Sequence, residues 1–357
     1  MMLYHNNRLI LPLLALGHAV NDLLAGYMLG CLVQTGEEMT KVAVGLFMYN
    51  LLAFGGQYAV AVLLERYGKH GSFLLFSYVL NVAALALFAF VPFLSMVLAG
   101  AGSAVYHVAG GSICIKTDKA ATAGYFAAPG VAGLIAGGYM AYAGIAITHW
   151  LLLACGLFLL TLIKLRKCLV VQPAGKKDRD ATADRPQLLP DRHDWIMILL
   201  LAVITMRSAI WNVFQLIHEN NYYWLGMIAL SAVVGKLAGG WLADKVGWRL
   251  YALWSLLAAM PLVTFFKNEL LLFCIGIGLL QSGIPATTAL LIRAADGSKE
   301  KGVALSFGTA IIFGAFVLYA PARRYLFSNA ALWLLAALMA AILILLKKKR
   351  HNIQKLY

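Results

Sequence analysis

The sequence predicts an all-α membrane protein of about twelve transmembrane helices, arranged as two similar halves. Three observations predict this fold: 62% of the 357 residues are hydrophobic and 12% are charged, long apolar runs follow one another, and similar hinges recur in both halves. Soluble domains carry about a quarter charged residues, whereas a membrane-spanning helix needs about 20 mostly apolar residues. The runs are continuously apolar, which excludes the alternating strands of a membrane β-barrel.

The apolar runs define the predicted spans and the division of the chain. The spans are predicted at residues 9–32, 40–64, 71–91, 93–115, 121–143, 145–163, 195–215, 222–243, 250–266, 270–292, 302–320 and 329–346. A polar stretch at 164–194, containing KKDRDATADRP, has the composition of a solvated linker. We therefore predict an N-terminal six-helix bundle in 1–163, a cytoplasmic linker in 164–194 and a C-terminal six-helix bundle in 195–357.

The distribution of basic residues predicts how the spans are oriented. With both termini in the cytoplasm, 23 of the 29 Lys and Arg lie on the cytoplasmic side, 4 lie outside and the other 2 lie within spans. This asymmetry explains the net charge of +14 without a nucleic-acid partner. It predicts a multi-pass protein of the inner membrane, in contact with lipid and expected to be a monomer.

Two pairs of hinges indicate that the halves are repeats. The hinge IKTDKAATAG between spans 4 and 5 resembles IRAADGSKEKG between spans 10 and 11, and LLERYGKHG between spans 2 and 3 resembles GWLADKVGWR between spans 8 and 9. A parallel repeat of six helices predicts a solute site near the membrane midplane, between the halves.

The segment GWLADKVGWR at 240–249 is similar to the loop signature of the major facilitator superfamily, and the whole chain resembles that superfamily. In the family, the carboxylate of this loop contacts the opposite half and holds the cytoplasmic side shut. A carboxylate at the C-terminal end of its own helix needs a cation or another helix's N-terminus nearby. The alternative is a plain charge anchor at the membrane edge. The residues for which the resemblance implies a gating role are Asp244, Lys245, Gly247, Arg249, Glu65 and Arg66.

A narrower resemblance, to the fosmidomycin-resistance group of exporters, rests on three segments. GHAVNDLLAGYM at 17–28 resembles the group's His-x-x-Asn-Asp pattern, GAGSAVYHVAGG at 100–111 its Gly-x-Gly-Ser-Ala-x-x-His segment, and MRSAIWNVF at 206–214 its membrane Arg-Ser motif. Val108 departs from the group, where proline usually follows the histidine. The chain is also short for this group, which leaves the substrate open.

Charges inside the predicted spans are the strongest functional signal in the residues themselves. Of the 15 Asp and Glu, only Asp22 lies deep in a span, and of the 29 Lys and Arg only Arg207 and Lys236 do. A charge at the bilayer centre costs about 2.5–3.5 kcal/mol on insertion scales. Asp22 and Arg207 fall near the midplane of spans 1 and 7, so we expect them to face a shared central cavity.

We interpret Asp22 as a proton-coupling carboxylate, with a static pair to Arg207 or His18 as the alternative. His18 precedes Asp22 by one helical turn and shares its face, and a His–Asp pair relays protons near neutral pH. His107 lies in a glycine-rich part of span 4 and is the third predicted proton-coupling residue. For both histidines, hydrogen-bonded packing is the alternative.

Four residues are predicted to contact the solute. Arg207 suits an anionic solute such as a carboxylate, phosphate or phosphonate, with a counter-ion role toward Asp22 as the alternative. Lys236 either faces the cavity or extends its stem toward the cytoplasm. The midspan amides Asn21 and Gln215 are further candidates, although such groups more often join helices. The segment PGVAG at 129–133 is interpreted as helix packing, with a gating kink as the alternative.

The sequence lacks the motifs of several other functions. It contains no phosphate-binding glycine loop, nucleophile elbow or zinc motif, so we expect neither an enzyme nor a bound cofactor, and no metal site. The leading hypothesis is a secondary transporter, a proton-coupled exporter of a small anionic or amphipathic solute. The alternatives are a metabolite importer or facilitator and, in another class, a membrane sensor or assembly factor on a transporter scaffold.

Overall fold

A computed structural model describes residues 7–34, 39–116, 118–169, 192–217, 221–295, 298–316 and 328–346. Helices account for nearly all of these residues, and no strand is assigned among them. The helices before the linker are α1 Asn7–Gln34, α2 Met39–Asn50, α3 Gln57–Tyr67, α4 His70–Leu87, α5 Pro92–Cys114, α6 Ala120–Tyr142 and α7 Thr148–Leu165. Those after it are α8 Arg192–Ile217, α9 Tyr222–Val246, α10 Trp248–Phe265, α11 Leu270–Ala294, α12 Lys299–Ala304, α13 Ala310–Phe316 and α14 Asn329–Leu345.

The helices confirm the predicted all-α membrane fold. Within the described ranges, ten helical segments are long and apolar enough to cross a membrane, and Asn329–Leu345 is a shorter apolar helix. The predicted span at 302–320 corresponds to α12, a π-helical turn and α13, and its last residues lie outside the described part of the chain. The chain is therefore a multi-pass membrane protein.

Two π-helical turns interrupt predicted spans 2 and 11, one in each half, and the apolar pattern did not predict them. Leu51–Gly55 joins α2 to α3, and Leu305–Thr309 joins α12 to α13. The two turns pack against each other: Gln57 donates from Nε2 to the carbonyl of Phe307 over 3.2 Å. Gly308 permits this contact, because a Cβ there would meet the carbonyl of Phe54. Such turns concentrate at functional sites.

Glycines let helix backbones approach closely around the candidate site. A Cβ at Gly133 of α6 would meet the backbone of α1 at Ala19. Between the halves, a Cβ at Gly124 of α6 would meet the carbonyl of Lys236, and one at Gly240 of α9 would meet the backbone of Ala121. Small residues permit such backbone contact in membranes. Helices α1, α6 and α9 are thus held side by side.

Candidate functional site

A histidine–aspartate cluster, formed by His18, Asp22 and His107, lies in the interior of the N-terminal helices. His18 and Asp22 are one turn apart on α1, with 3.2 Å between His18 Nε2 and Asp22 Oδ2. His107 comes from α5, with its Nε2 2.9 Å from His18 Nε2 and 3.9 Å from Asp22 Oδ1. All three residues are at most 9% exposed. The predicted proton-coupling residues are therefore brought together at one place.

The hydrogen bonds of the two imidazoles define which nitrogens face the cluster. His18 Nδ1 is 2.8 Å from the carbonyl of Phe126, and His107 Nδ1 is 2.7 Å from the carbonyl of Ser103. A carbonyl oxygen only accepts, so both Nδ1 atoms must carry hydrogen. In the neutral rings the two Nε2 atoms therefore present lone pairs to each other and to the Asp22 carboxylate. Three electron-rich atoms at these distances require a cation among them.

An amide network fixes the orientation of the carboxylate. Asn21 donates from Nδ2 to Asp22 Oδ1 over 2.8 Å and to Ser103 Oγ over 3.3 Å. Its Oδ1 accepts from Asn81 Nδ2 over 2.8 Å. Asn21 is 1% exposed. Its amide is therefore engaged in holding Asp22 in this structure, rather than presented to a solute as the sequence suggested.

Aromatic rings and one glycine shape the surroundings of the cluster. The ring of Phe126 stacks on His18 with centroids 4.6 Å apart. A Cβ at Gly130 of α6 would meet both His18 Nε2 and Asp22 Oδ2. For Gly130, the sequence predicted only a role in packing or in kinking the helix. Its position beside the charged atoms was not predictable, because no local pattern marks which helix faces the cluster.

Lys236 is the cation that approaches the cluster from the C-terminal helices. It lies on α9, whose backbone meets α6 at Gly124. Its side chain is half-buried and interacts electrostatically with Asp22. The positive charge of the C-terminal helices that acts on Asp22 is therefore on span 8, whereas span 7 was predicted to supply it.

The expected meeting of Arg207 and Asp22 is not found. The Arg207 guanidinium is fully buried and donates to the carbonyls of Leu280 and Ala252, both in the C-terminal half. Gly283 leaves room for it, because a Cβ there would meet the guanidinium. Backbone carbonyls satisfy an intramembrane cation as well as a carboxylate does. With no exposed surface, Arg207 faces no shared cavity in this structure. The side chain of Gln215 lies outside the described residues.

Contacts between the halves close one edge of the bundle. Asp244 accepts from the backbone N–H of Ala120 over 2.7 Å and of Ala121 over 3.0 Å, at the N-terminus of α6. The Trp248 indole also donates to it, over 2.7 Å. The N-terminus of a helix is positively polarised and stabilises a carboxylate. Asp244 of the C-terminal half is thereby bound to the N-terminal half.

Two further side-chain contacts cross between the halves at the same edge. Lys301 Nζ is 2.8 Å from Glu65 Oε2, and His70 Nε2 is 2.7 Å from Glu300 Oε1. His70 and Glu300 are buried. We name this surface the closed edge, and it comprises Glu65, His70, Ala120, Ala121, Asp244, Glu300 and Lys301.

The other predicted gating residues make contacts within their own half. Lys245 Nζ lies 3.6 Å from the ring centroid of Trp241, Arg249 donates to the Leu343 carbonyl over 3.3 Å, and the Arg66 guanidinium lies 5.7 Å from the ring centroid of Tyr67. Gly247 separates α9 from α10 with φ 100°, a conformation that favours glycine. These four residues shape the ends of the helices, whereas Asp244 and Glu65 cross to the other half.

The Glu300 carboxylate should make the closed edge sensitive to acid. Burial alone would raise the pKa of Glu300, but the hydrogen bonds from His70 and from a backbone N–H, together with nearby positive charge, outweigh burial and hold the pKa below its ordinary value of 4.5. A carboxylate with a lowered pKa stabilises the fold above its ordinary value, and this contribution is lost as pH falls through the lowered one. We expect the melting temperature to fall below pH 4.5, and to fall less in Glu300→Gln. An equal fall in both proteins would contradict this; Glu269→Gln, at an exposed position, is the control.

Comparison with known proteins gives structural relatives only. No protein-family model and no curated protein matches the sequence. The crystal structure of the E. coli fucose:proton symporter is similar over 95% of this chain and 97% of its own, with a TM-score of 0.67 and 14% identity. The transporter FucP in the outward conformation is similar over 97% and 99%, with a TM-score of 0.71 and 13% identity. A bacterial homologue of the iron transporter ferroportin, in the outward-facing state, is similar over 94% and 97%, with a TM-score of 0.59 and 14% identity. The chain therefore has the fold of the major facilitator superfamily transporters.

Proposed function

We propose that this protein is a secondary active transporter that moves a small solute by alternating access, coupled to protons. The observation that carries the proposal is the histidine–aspartate cluster. Charged and titratable groups inside a membrane bundle are costly and mark solute or proton pathways. A structural scaffold without transport has no need for a carboxylate and two facing imidazoles in its interior, which disfavours the sensor or assembly-factor alternative.

The closed edge supports alternating access. Its contacts join the halves at the start of α6 and the end of α9. The basic residues predict that this side is cytoplasmic, with both termini on the same side in the inner membrane. On that orientation the structure is closed toward the cytoplasm. Two of the structural relatives are likewise described as outward-facing.

The cluster offers a place for one proton. A proton bound between His18 Nε2 and His107 Nε2 would satisfy both lone pairs, and the Asp22 carboxylate would balance its charge. Water reaching the cluster from either side would allow the proton to exchange. Because α6 and α9 cover the cluster and also join the halves, rocking of the halves would alter this access.

Two similarities to known transporters bear on the direction of transport. The resemblance to the fosmidomycin-resistance group favours export in exchange for protons. Symport is the second candidate, because one of the structural relatives is a fucose:proton symporter. Both antiport and symport require proton movement that depends on the solute.

Proteoliposomes that contain a pH-sensitive dye would test the function. The purified protein would be offered L-fucose, the phosphonate fosmidomycin, the cation ethidium and the divalent ions Mn²⁺ and Co²⁺ in separate assays. We expect at least one probe, added outside the vesicles, to cause proton movement across the membrane. Protons would leave the vesicles in antiport and enter them in symport. Proteoliposomes that show no probe-dependent proton movement with any class, although the protein is folded and correctly inserted, would contradict the proposal.

A further inference from the structure

The three residues of the histidine–aspartate cluster have the composition and spacing of a metal site. Their ligand atoms, two imidazole nitrogens and one carboxylate oxygen, all lie within 4.8 Å of one another. No metal site was predicted, because the sequence has no zinc motif and His107 lies far from His18 and Asp22 along the chain. The fold brings it to them across the contact of α5 with α1.

The outer hydrogen bonds prepare these residues to bind a metal. A metal-binding histidine usually donates its other ring N–H to a carbonyl or carboxylate, which fixes its tautomer and orientation. His18 and His107 both do so through Nδ1, to Phe126 and Ser103. Asn21 holds the Asp22 carboxylate in the same way. Each of the three ligands therefore already has its supporting contact.

The distances between the ligand atoms are close to those around a tetrahedral metal ion. Metal–nitrogen and metal–oxygen bonds of about 2.0–2.1 Å place neighbouring ligand atoms about 3.3 Å apart. His18 Nε2 and Asp22 Oδ2 are 3.2 Å apart, while the two Nε2 atoms are 2.9 Å apart and His107 Nε2 is 3.9 Å from Asp22 Oδ1. The two carboxylate distances are to different oxygens, so His107 and Asp22 would have to approach each other by about half an ångström or more to complete the site, which leaves one position free for water.

The donor set selects a class of ion. Imidazole nitrogens favour Zn²⁺, Fe²⁺, Co²⁺ and Ni²⁺, whereas Mg²⁺ and Ca²⁺ prefer oxygen ligands. We propose that the histidine–aspartate cluster binds a divalent transition-metal ion as the transported solute. This identification of the solute rests on the proposed transport function, whereas binding itself does not.

Lys236 gives the proposal a distinctive consequence. Its ammonium interacts with Asp22 from the C-terminal helices, so it opposes a second cation at the cluster. Replacing it with methionine would remove this repulsion. A solute site for an anion would respond in the opposite way, because an anion would lose affinity without the lysine.

Optical titration of the untagged protein with Co²⁺ tests binding directly. We expect one ion per chain with visible d–d absorption, affinity reduced at least about tenfold in His18→Gln and in His107→Gln, and affinity increased in Lys236→Met. His149→Gln, at an exposed position, is the control and should bind as the wild type does. Absence of d–d absorption, or unchanged affinity in both folded cluster variants, would overturn the proposal.

A second measurement needs no variant. X-ray absorption spectroscopy of the Co²⁺-loaded wild type should show an N/O shell with two imidazoles, and a shell without imidazole would overturn the site. Proteoliposomes separate binding from transport. Co²⁺ binding without Co²⁺ flux would retain the site and overturn Co²⁺ as solute, whereas proton-coupled flux of another probe without Co²⁺ binding would retain the proposed function and overturn the metal site.

Discussion

Replacing Asp22 with asparagine should abolish solute accumulation driven by a pH gradient in proteoliposomes. Asparagine has the shape of aspartate and leaves packing intact, but it removes the negative charge 3.2 Å from His18 Nε2. A hydrogen bond to a charged group contributes about 1.5–3 kcal/mol, which corresponds to a loss of roughly ten- to hundredfold in occupancy of the cluster by its cation. Radiolabelled or fluorescent uptake of the probe identified in the screen measures the effect.

The control for Asp22→Asn is Glu269→Gln, which neutralises an exposed carboxylate before α11. We expect it to accumulate the probe as the wild type does. Matching melting temperatures would show that both variants are folded. If Asp22→Asn accumulated the probe at the wild-type rate and to the wild-type level, the carboxylate would have no role in coupling.

Replacing Asp244 with asparagine should open the closed edge. The carboxylate accepts two backbone N–H groups of α6, and an amide carries no charge and directs its own donors toward one of them. The loss of about 1.5–3 kcal/mol for one charged hydrogen bond would raise the ratio of open to closed molecules roughly ten- to hundredfold. Spin labels at the exposed positions Lys69 and Val246 would report the opening as a longer label-to-label distance, measured by pulsed electron paramagnetic resonance.

The labelled protein needs Cys31 and Cys168 replaced by serine, since neither is buried. Asp118→Asn is the matched control, because Asp118 is an exposed aspartate near the start of α6. Its distance distribution should equal that of the unmodified labelled protein. An unchanged distribution in Asp244→Asn would show that other contacts, such as Lys301 with Glu65, suffice to hold the edge shut.

Composition and the placement of charges predicted the fold, because both are constrained in a protein that crosses a membrane. A helix that crosses a bilayer must be long and apolar, and this requirement is visible in any local stretch of sequence. The π-helical turns at Leu51–Gly55 and Leu305–Thr309 lie outside this signal. They form where two helices of opposite halves pack, and a contact between distant segments leaves no local pattern.

The site was predictable in part for the same reason. Asp22 stood out because an intramembrane carboxylate is costly, and His18 is joined to it by helical spacing. The partner of His18 across the cluster, His107, is 89 residues away, and only the packing of α5 on α1 brings it there. Arg207 was paired with Asp22 because opposite charges attract, but carbonyls at Leu280 and Ala252 satisfy it instead. Carbonyl acceptors belong to every residue, so the sequence does not mark them.

On the proposed function, a proton bound at the histidine–aspartate cluster moves in step with the solute. Proton movement recorded by a dye inside proteoliposomes, started by adding the probe to the wild type, Asp22→Asn and His149→Gln, tests this most directly. We expect probe-dependent proton movement in the wild type and in His149→Gln, and none in Asp22→Asn. Equal proton movement in all three proteins would contradict it.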